Sequence, residues 1–166
     1  MTDDTAVMDR IRRDATVTEA RLTRALPHPP EAVWPMLTDS AALAQWLAEG
    51  RIDLRPGGRV HIDFGDSGVV IDSTVLDLAP PHRLAYSWSN GDQPARPLHW
   101  SLEASAGGTL LALTVTLPAG EDLAKACAGF AAHLEMLAAA LESVPARFPF
   151  SLYLEKRKEY QALLDA

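Results

Sequence analysis

Apolar and polar residues alternate with a period of two over much of the chain, then shift to a helical period near residue 122. The first alternation runs from Val17. Thr18, Ala20, Leu22 and Arg24 fall on one side and Val17, Glu19, Arg21 and Thr23 on the other, which predicts an edge-like first strand. Pro27-His28-Pro29-Pro30 stops it. Pro30 suits the first position of a helix, where its missing N–H goes unused. Pro35 removes the bond to Glu31 and crowds that carbonyl, so the pattern predicts a short, kinked helix through Leu37. Asp39 or Ser40 then caps a second helix through Leu47, with Leu43, Trp46 and Leu47 facing inward.

Residues 51–105 read as strands separated by turns. Ile52 and Leu54 lead to Gly57-Gly58, a pair in which one or both residues are expected at positive φ. Val60, Ile62 and Phe64 alternate with His61 and Asp63, and Gly65-Asp66-Ser67-Gly68 forms a hairpin turn. A further strand runs from Val69 to Leu78 and ends at Pro80-Pro81. Leu84, Tyr86 and Trp88 share one face of the next, and Leu98, Trp100 and Leu102 one face of another, with a loop from Asn90 to Pro97 between them. Gly107-Gly108 turns the chain into Leu111, Leu113 and Val115. Within 122–142, Leu123, Cys127, Phe130, Leu134, Leu137 and Leu141 repeat every three or four positions, the stripe of a long amphipathic helix. His133 sits at the margin of that stripe.

The two ends are less patterned. Residues 1–16 are polar and charged, and read as an N-terminal leader in which 9–14 form a helical turn or stay frayed. Residues 17–142 hold the folded domain. Residues 143–166 form a C-terminal extension, with Ser151 as N-cap of a helix that shows Tyr153, Tyr160 and Leu164 on one face. That extension reads either as an appendage on its own domain or as a homodimer contact or pocket lid.

Composition narrows the function classes. The 166 residues suit one domain, and a formal charge of −7 without a basic stripe argues against nucleic acid as a partner. Cys127 is the single cysteine, so no internal disulfide forms, and its place on the apolar stripe predicts a buried, inert thiol. The acidic start has no apolar signal segment, and no run approaches the roughly 18 apolar residues of a membrane span, so a cytoplasmic, bacterial-style protein with no membrane contact is expected. His28, His61, His82, His99 and His133 are scattered with no Cys or carboxylate at ligand spacing, and no metal is expected. The glycine pairs lack the residues of a phosphate-binding loop, the serines lack a nucleophile-elbow context, and no cofactor or catalytic residue is assigned. Asp72 interrupts Val69-Val70-Ile71, and either points to solvent or is a buried carboxylate in need of a partner.

The ordered set Val33-Trp34, Trp46, Asp53-Leu54-Arg55-Pro56-Gly57-Gly58, Pro80-Pro81-His82-Arg83-Leu84, Trp88 and Gly107-Gly108-Thr109-Leu110 resembles the SRPBCC (START-like, helix-grip) superfamily. The branch it resembles is the one named after the activator of the heat shock protein 90 ATPase. The resemblance implies an α+β helix-grip fold: a curved antiparallel sheet of six to seven strands wrapped around the long C-terminal helix, with two short helices after the first strand. Where members of the family often carry Trp in the final helix this chain has Phe130, which implies a slightly larger and drier pocket.

Strand alternation and the helix stripe, set in that curvature, place Phe64, Tyr86, Trp88, Trp100, Phe130, His133, Leu134 and Leu137 around an apolar cavity. The expected function is binding of a small hydrophobic or aromatic molecule without catalytic machinery. The alternatives implied by the resemblance are a co-chaperone-like or other partner-binding protein, or a cyclase-type enzyme that uses the same cavity.

Overall fold

The computed structural model describes residues 7–165. In chain order these form β1 (Val7–Arg13), β2 (Val17–Leu26), α1 (Pro30–Thr38), α2 (Ser40–Trp46), β3 (Glu49–Ile52) and β4 (Arg59–Asp63). A single 3-10 turn (Gly65–Ser67) then precedes β5 (Val70–Ala79), β6 (Arg83–Ser87), β7 (Pro97–Ser105), β8 (Gly108–Pro118), α3 (Leu123–Leu141) and α4 (Phe150–Asp165). The described strands make one sheet in the order β1-β2-β8-β7-β6-β5-β4-β3, with every neighbouring pair antiparallel. This is the α+β helix-grip arrangement: the curved sheet holds α3, and α1 and α2 follow β2.

The sheet has eight strands where six to seven were expected, and the extra one lies in the assumed leader. Residues 7–13 are neither a helical turn nor frayed chain. They pair along β2, whose outer edge would otherwise offer its backbone groups to water or to another chain. Asp14 makes the reversal: its Oδ1 accepts the backbone N–H groups of Thr16 at 2.8 Å and Val17 at 2.9 Å. The start of the leader, 1–6, lies outside the described residues.

The core follows the two periodicities. Ala20 and Leu22 of β2, Leu84 and Tyr86 of β6, Leu98, Trp100 and Leu102 of β7, and Leu111, Leu113 and Val115 of β8 are all buried. They meet Leu123, Cys127, Phe130, Leu134 and Leu137 of α3. Each fully buried Leu contributes about 1.5–3 kcal/mol of transfer free energy, so the stripe alone commits α3 to the sheet. By length and composition α3 would also pass for a membrane span, which a search for unbroken apolar runs does not reveal; here half of that window is buried inside the domain. Asp122 caps α3 by accepting the Lys125 N–H at 3.0 Å. The second cap also forms: Asp39, rather than Ser40, accepts the Ala42 N–H at 3.2 Å at the start of α2. Arg24 takes an inward position on β2 and is buried, where its guanidinium meets the Ala131 carbonyl at 3.4 Å and Glu135 at 3.5 Å.

Curvature has a local cause in β5. Its first half, Val70 to Thr74, pairs with β4, and its second half, Val75 to Ala79, pairs with β6, with a register shift between Val75 and Asp77. The chain after β6 therefore leaves the first half of β5. Only point contacts join them there: the Asp72 N–H donates to the Ser89 carbonyl at 3.0 Å, and the Ser73 hydroxyl to the Ser87 carbonyl at 2.7 Å. Asp72 points outward. Arg59 meets it through two bonds of 3.2 Å, and that hydrogen-bonded guanidinium lowers the carboxyl pKa.

Candidate functional site

The splay between β5 and the chain after β6 opens a cleft of about 760 Å³ against α3. Val69, Val70 and Ile71, Trp88 and Asn90, Phe130 and His133 of α3, Phe64 and Tyr153 of α4 line it. The volume falls within the range of pockets that enclose drug-sized molecules.

Its walls are a continuous run of aromatic rings. Trp88 packs edge-on to Phe130 at 5.2 Å between ring centres and to Phe64 at 5.8 Å. Phe64 stands edge-on to the His133 imidazole at 6.0 Å. His133 then meets Phe148 at 5.3 Å, and Phe148 meets Tyr153 at 5.8 Å. The run links the sheet, α3, the connecting segment and α4. Edge-to-face pairs are a favoured arrangement of ring quadrupoles, and they leave ring faces free for a third partner.

The eight residues expected around the cavity divide into two groups. Phe64, Trp88, Phe130 and His133 line the cleft. Tyr86, Trp100, Leu134 and Leu137 lie deeper, in packed core, and none of them borders the open space. Alternation and the helix stripe turn all four inward, but there the space between sheet and helices is filled by packed side chains, and the cleft lies beyond the end of β6. Trp100 stacks edge-on with Trp46 at 5.9 Å, and burial raises the pKa of the Tyr86 phenol, opposed weakly by the Trp100 indole. The Trp100 Nε1–H nevertheless lacks a hydrogen bond of good geometry.

Other lining groups were not singled out in the sequence. Arg96 grips Glu121 through two short bonds, 2.7 and 2.9 Å, and so pins the β6–β7 loop to the start of α3. Those bonds lower the Glu121 pKa and raise that of Arg96. Gln93 Oε1 accepts from the Asn90 N–H at 2.9 Å and from Arg96 at 3.3 Å. Asp122, besides capping α3, accepts from Arg157 of α4 at 3.3 Å. Nothing local marks these residues, because the two loops are far apart in sequence and meet only in the fold.

The extension packs on its own domain. Tyr160 and Lys156 are buried against it, and Tyr153 reaches the cleft. Its helix begins at Phe150, one residue before the expected cap Ser151.

His133 is the polar group set among the rings. Its Nδ1 donates to the Trp46 carbonyl at 2.9 Å, which assigns the proton to Nδ1 in the neutral ring. Burial lowers its pKa, and the bond to Trp46 only partly offsets that. The native state thus binds this proton less readily than the unfolded chain. Stability contributed here is present above the unfolded value of about 6.5 and falls as pH drops below it. We expect the melting temperature of the parent protein to fall between neutral pH and the carboxylate region more steeply than that of His133→Phe. Parallel slopes in the two melting profiles would remove this assignment.

Cys127 is fully buried and its thiol is pushed up to about 12 by burial, so it takes no part in chemistry at neutral pH. Among the described residues no group of three or more His, Cys, Asp or Glu side chains is arranged to hold a metal ion.

A curved antiparallel sheet that grips a long helix, two short helices after β2 and a cleft beside the gripped helix define an SRPBCC-type helix-grip protein. Residues 27–142 match the family described as Activator of Hsp90 ATPase homolog 1-like protein, and the chain belongs to that family. The chain is similar to the crystal structure of CalU16 from Micromonospora echinospora, at 23% identity over 90% of each chain with a TM-score of 0.76. It is similar to the protein encoded by BPP1335 of Bordetella parapertussis, at 27% identity over 97% of this chain and 94% of that one, with a TM-score of 0.70. It also resembles DynU16, a protein of the dynemicin biosynthetic locus, at 30% identity and a TM-score of 0.72. That match covers 82% of this chain and 51% of DynU16. No match to a curated protein was found.

Proposed function

We propose that this protein binds one small, largely apolar aromatic molecule in the cleft between β5, the β6–β7 loop and α3, and performs no chemistry on it. The observation that carries the reading is the run of rings Phe130, Trp88, Phe64 and His133 along an open wall of a 760 Å³ cleft. The ionic groups at the rim serve structure: Arg96 and Glu121 hold each other, and Asp122 caps α3. The biosynthetic setting of DynU16 fits a relative that handles a small molecule.

Gly129 supplies the test. It lines the cleft from α3, and a Cβ built there meets no atom within 4 Å. Gly129→Leu should fill part of the cleft, and should raise helix stability by about 0.5–1 kcal/mol, since glycine is the poorer helix former. An anilinonaphthalene sulfonate dye should bind the parent protein at one site, and the variant at least about tenfold more weakly, with melting temperature kept or raised. Equal dye affinity in the two proteins would sink the reading.

A second reading, docking of a partner protein, draws on one observation. Val144, Phe148, Phe150 and Leu154 are exposed around the turn into α4, with Phe150 61% accessible. Replacement of Phe150 by Ser separates the two: dye affinity should not change under the first reading.

A further inference from the structure

We infer that the cleft selects flat aromatic molecules that carry a hydroxyl group, a phenol donating its proton to His133 Nε2. This rests on the reading of the cleft as a ligand site and adds the chemistry of the ligand. Three observations support it. The Trp46 carbonyl takes the Nδ1 proton, so in the neutral ring Nε2 is an acceptor and cannot donate. Nε2 has no hydrogen-bond partner among the described residues, and it is not sealed from solvent as the buried unpaired atoms are. His133 also lines the cleft with its ring against those of Phe64 and Phe148, so a group that reaches Nε2 lies among aromatic rings.

Of the other polar groups of the wall, four are held by one another or by the protein, while Ser67, Asn90 and Lys125 also line the cleft and meet other substituents of a ligand. Arg96, Glu121 and Gln93 satisfy one another, and Asp122 is shared between the start of α3 and Arg157. At His133 Nε2 itself a carboxylate would set its lone pairs against an acceptor. An aliphatic alcohol would satisfy Nε2 and leave the ring faces uncovered. A phenol meets both demands, because its O–H lies in the plane of a ring that can stack on Trp88 or Phe130.

The imidazole acts here by position. It is oriented from outside the cleft by the end of α2, through a carbonyl that carries the Trp46 side chain, itself fixed by a 2.6 Å bond from its Nε1–H to the Met36 carbonyl. The acceptor is therefore preorganised, and a ligand binds without first ordering it.

The experiment measures affinity for naphthol and methoxynaphthalene, which share the fused ring and differ in the O–H. The parent protein should bind naphthol about tenfold more tightly, and His133→Phe should abolish or reverse that preference. The ratio within one protein cancels any general damage from the substitution, and the parent ratio stands alone if the variant fails to fold. Equal affinity of the parent for the two probes overturns the inference while leaving the cleft as a ligand site. Binding of neither probe overturns both. A preference that survives in folded His133→Phe assigns the acceptor elsewhere and overturns the role of His133.

Discussion

Gly58→Val is expected to destabilise the protein by about 3 kcal/mol or more, and Gly57→Ala by only about 1 kcal/mol. The two glycines are adjacent, yet they are required for different reasons. Gly57 has φ of 76°, and a Cβ there would enter open space, so its replacement carries conformational strain alone. Gly58 lies outside the positive-φ region, so of the pair in which one or both were expected there, Gly57 alone takes that conformation. A Cβ on Gly58 would instead collide with the Asp53 carbonyl oxygen and press on that of Arg55. That backbone cannot retreat easily. The Arg55 N–H donates to the Asp53 carbonyl at 2.8 Å, and the Gly58 N–H to the Arg55 carbonyl at 2.8 Å. The turn is also clamped to β5, since Gly57 donates to the Val75 carbonyl at 3.0 Å and the Val75 N–H donates to the Gly58 carbonyl at 2.8 Å. Val75 is where β5 changes partners, so displacement of the turn reaches the element that opens the cleft. Denaturant unfolding of both variants is the check, and equal losses would contradict the collision.

The second large effect is expected at Leu134. Leu134→Ala should lose about 2–5 kcal/mol, the range for emptying a packed leucine site, and Leu134→Trp should lose about as much through overpacking. Leu134 is 1% accessible and packs in the core that α3 forms with the sheet. One turn earlier on the same helix, Gly129 and Phe130 border the cleft. A bulky residue should therefore be tolerated at 129 and rejected at 134. The contrast locates the boundary between core and site along a single helix. Thermal and denaturant melts of Leu134→Trp beside Gly129→Leu measure it, and a Leu134→Trp protein as stable as its parent would place the cavity under the body of α3 after all.

That boundary separates what a one-dimensional pattern records from what it does not. The alternation of Leu84, Tyr86 and Trp88 assigns them to one face, and all three do join the hydrophobic core. It cannot say how far the sheet stands from the helix at each position. Tyr86 is sealed and Trp88 is at an open wall, two residues apart. The strand β1 was hidden for a similar reason. Val7, Met8 and Ile11 do not keep a strict alternation among its four charged residues, and its pairing follows the free edge of β2. Nothing in the sequence around Phe148 marks it as a partner of the cleft. Its place against His133 follows from the packing of α4 back on α3.

Local pattern carried the class of fold, most of its strands and helices, a cap at Asp39 or Ser40 and four of the residues that line the cleft. Hydrophobic periodicity is a local quantity, set by the geometry of each element, and glycine, proline and capping residues act within a few positions of themselves. Only the tertiary structure decided where sheet and helix part, that Arg96 reaches Glu121, and that His133 is oriented by the end of α2. Those distances depend on the bend at Val75 and on loops that meet across the fold. They are sums over many elements, and no single segment carries them.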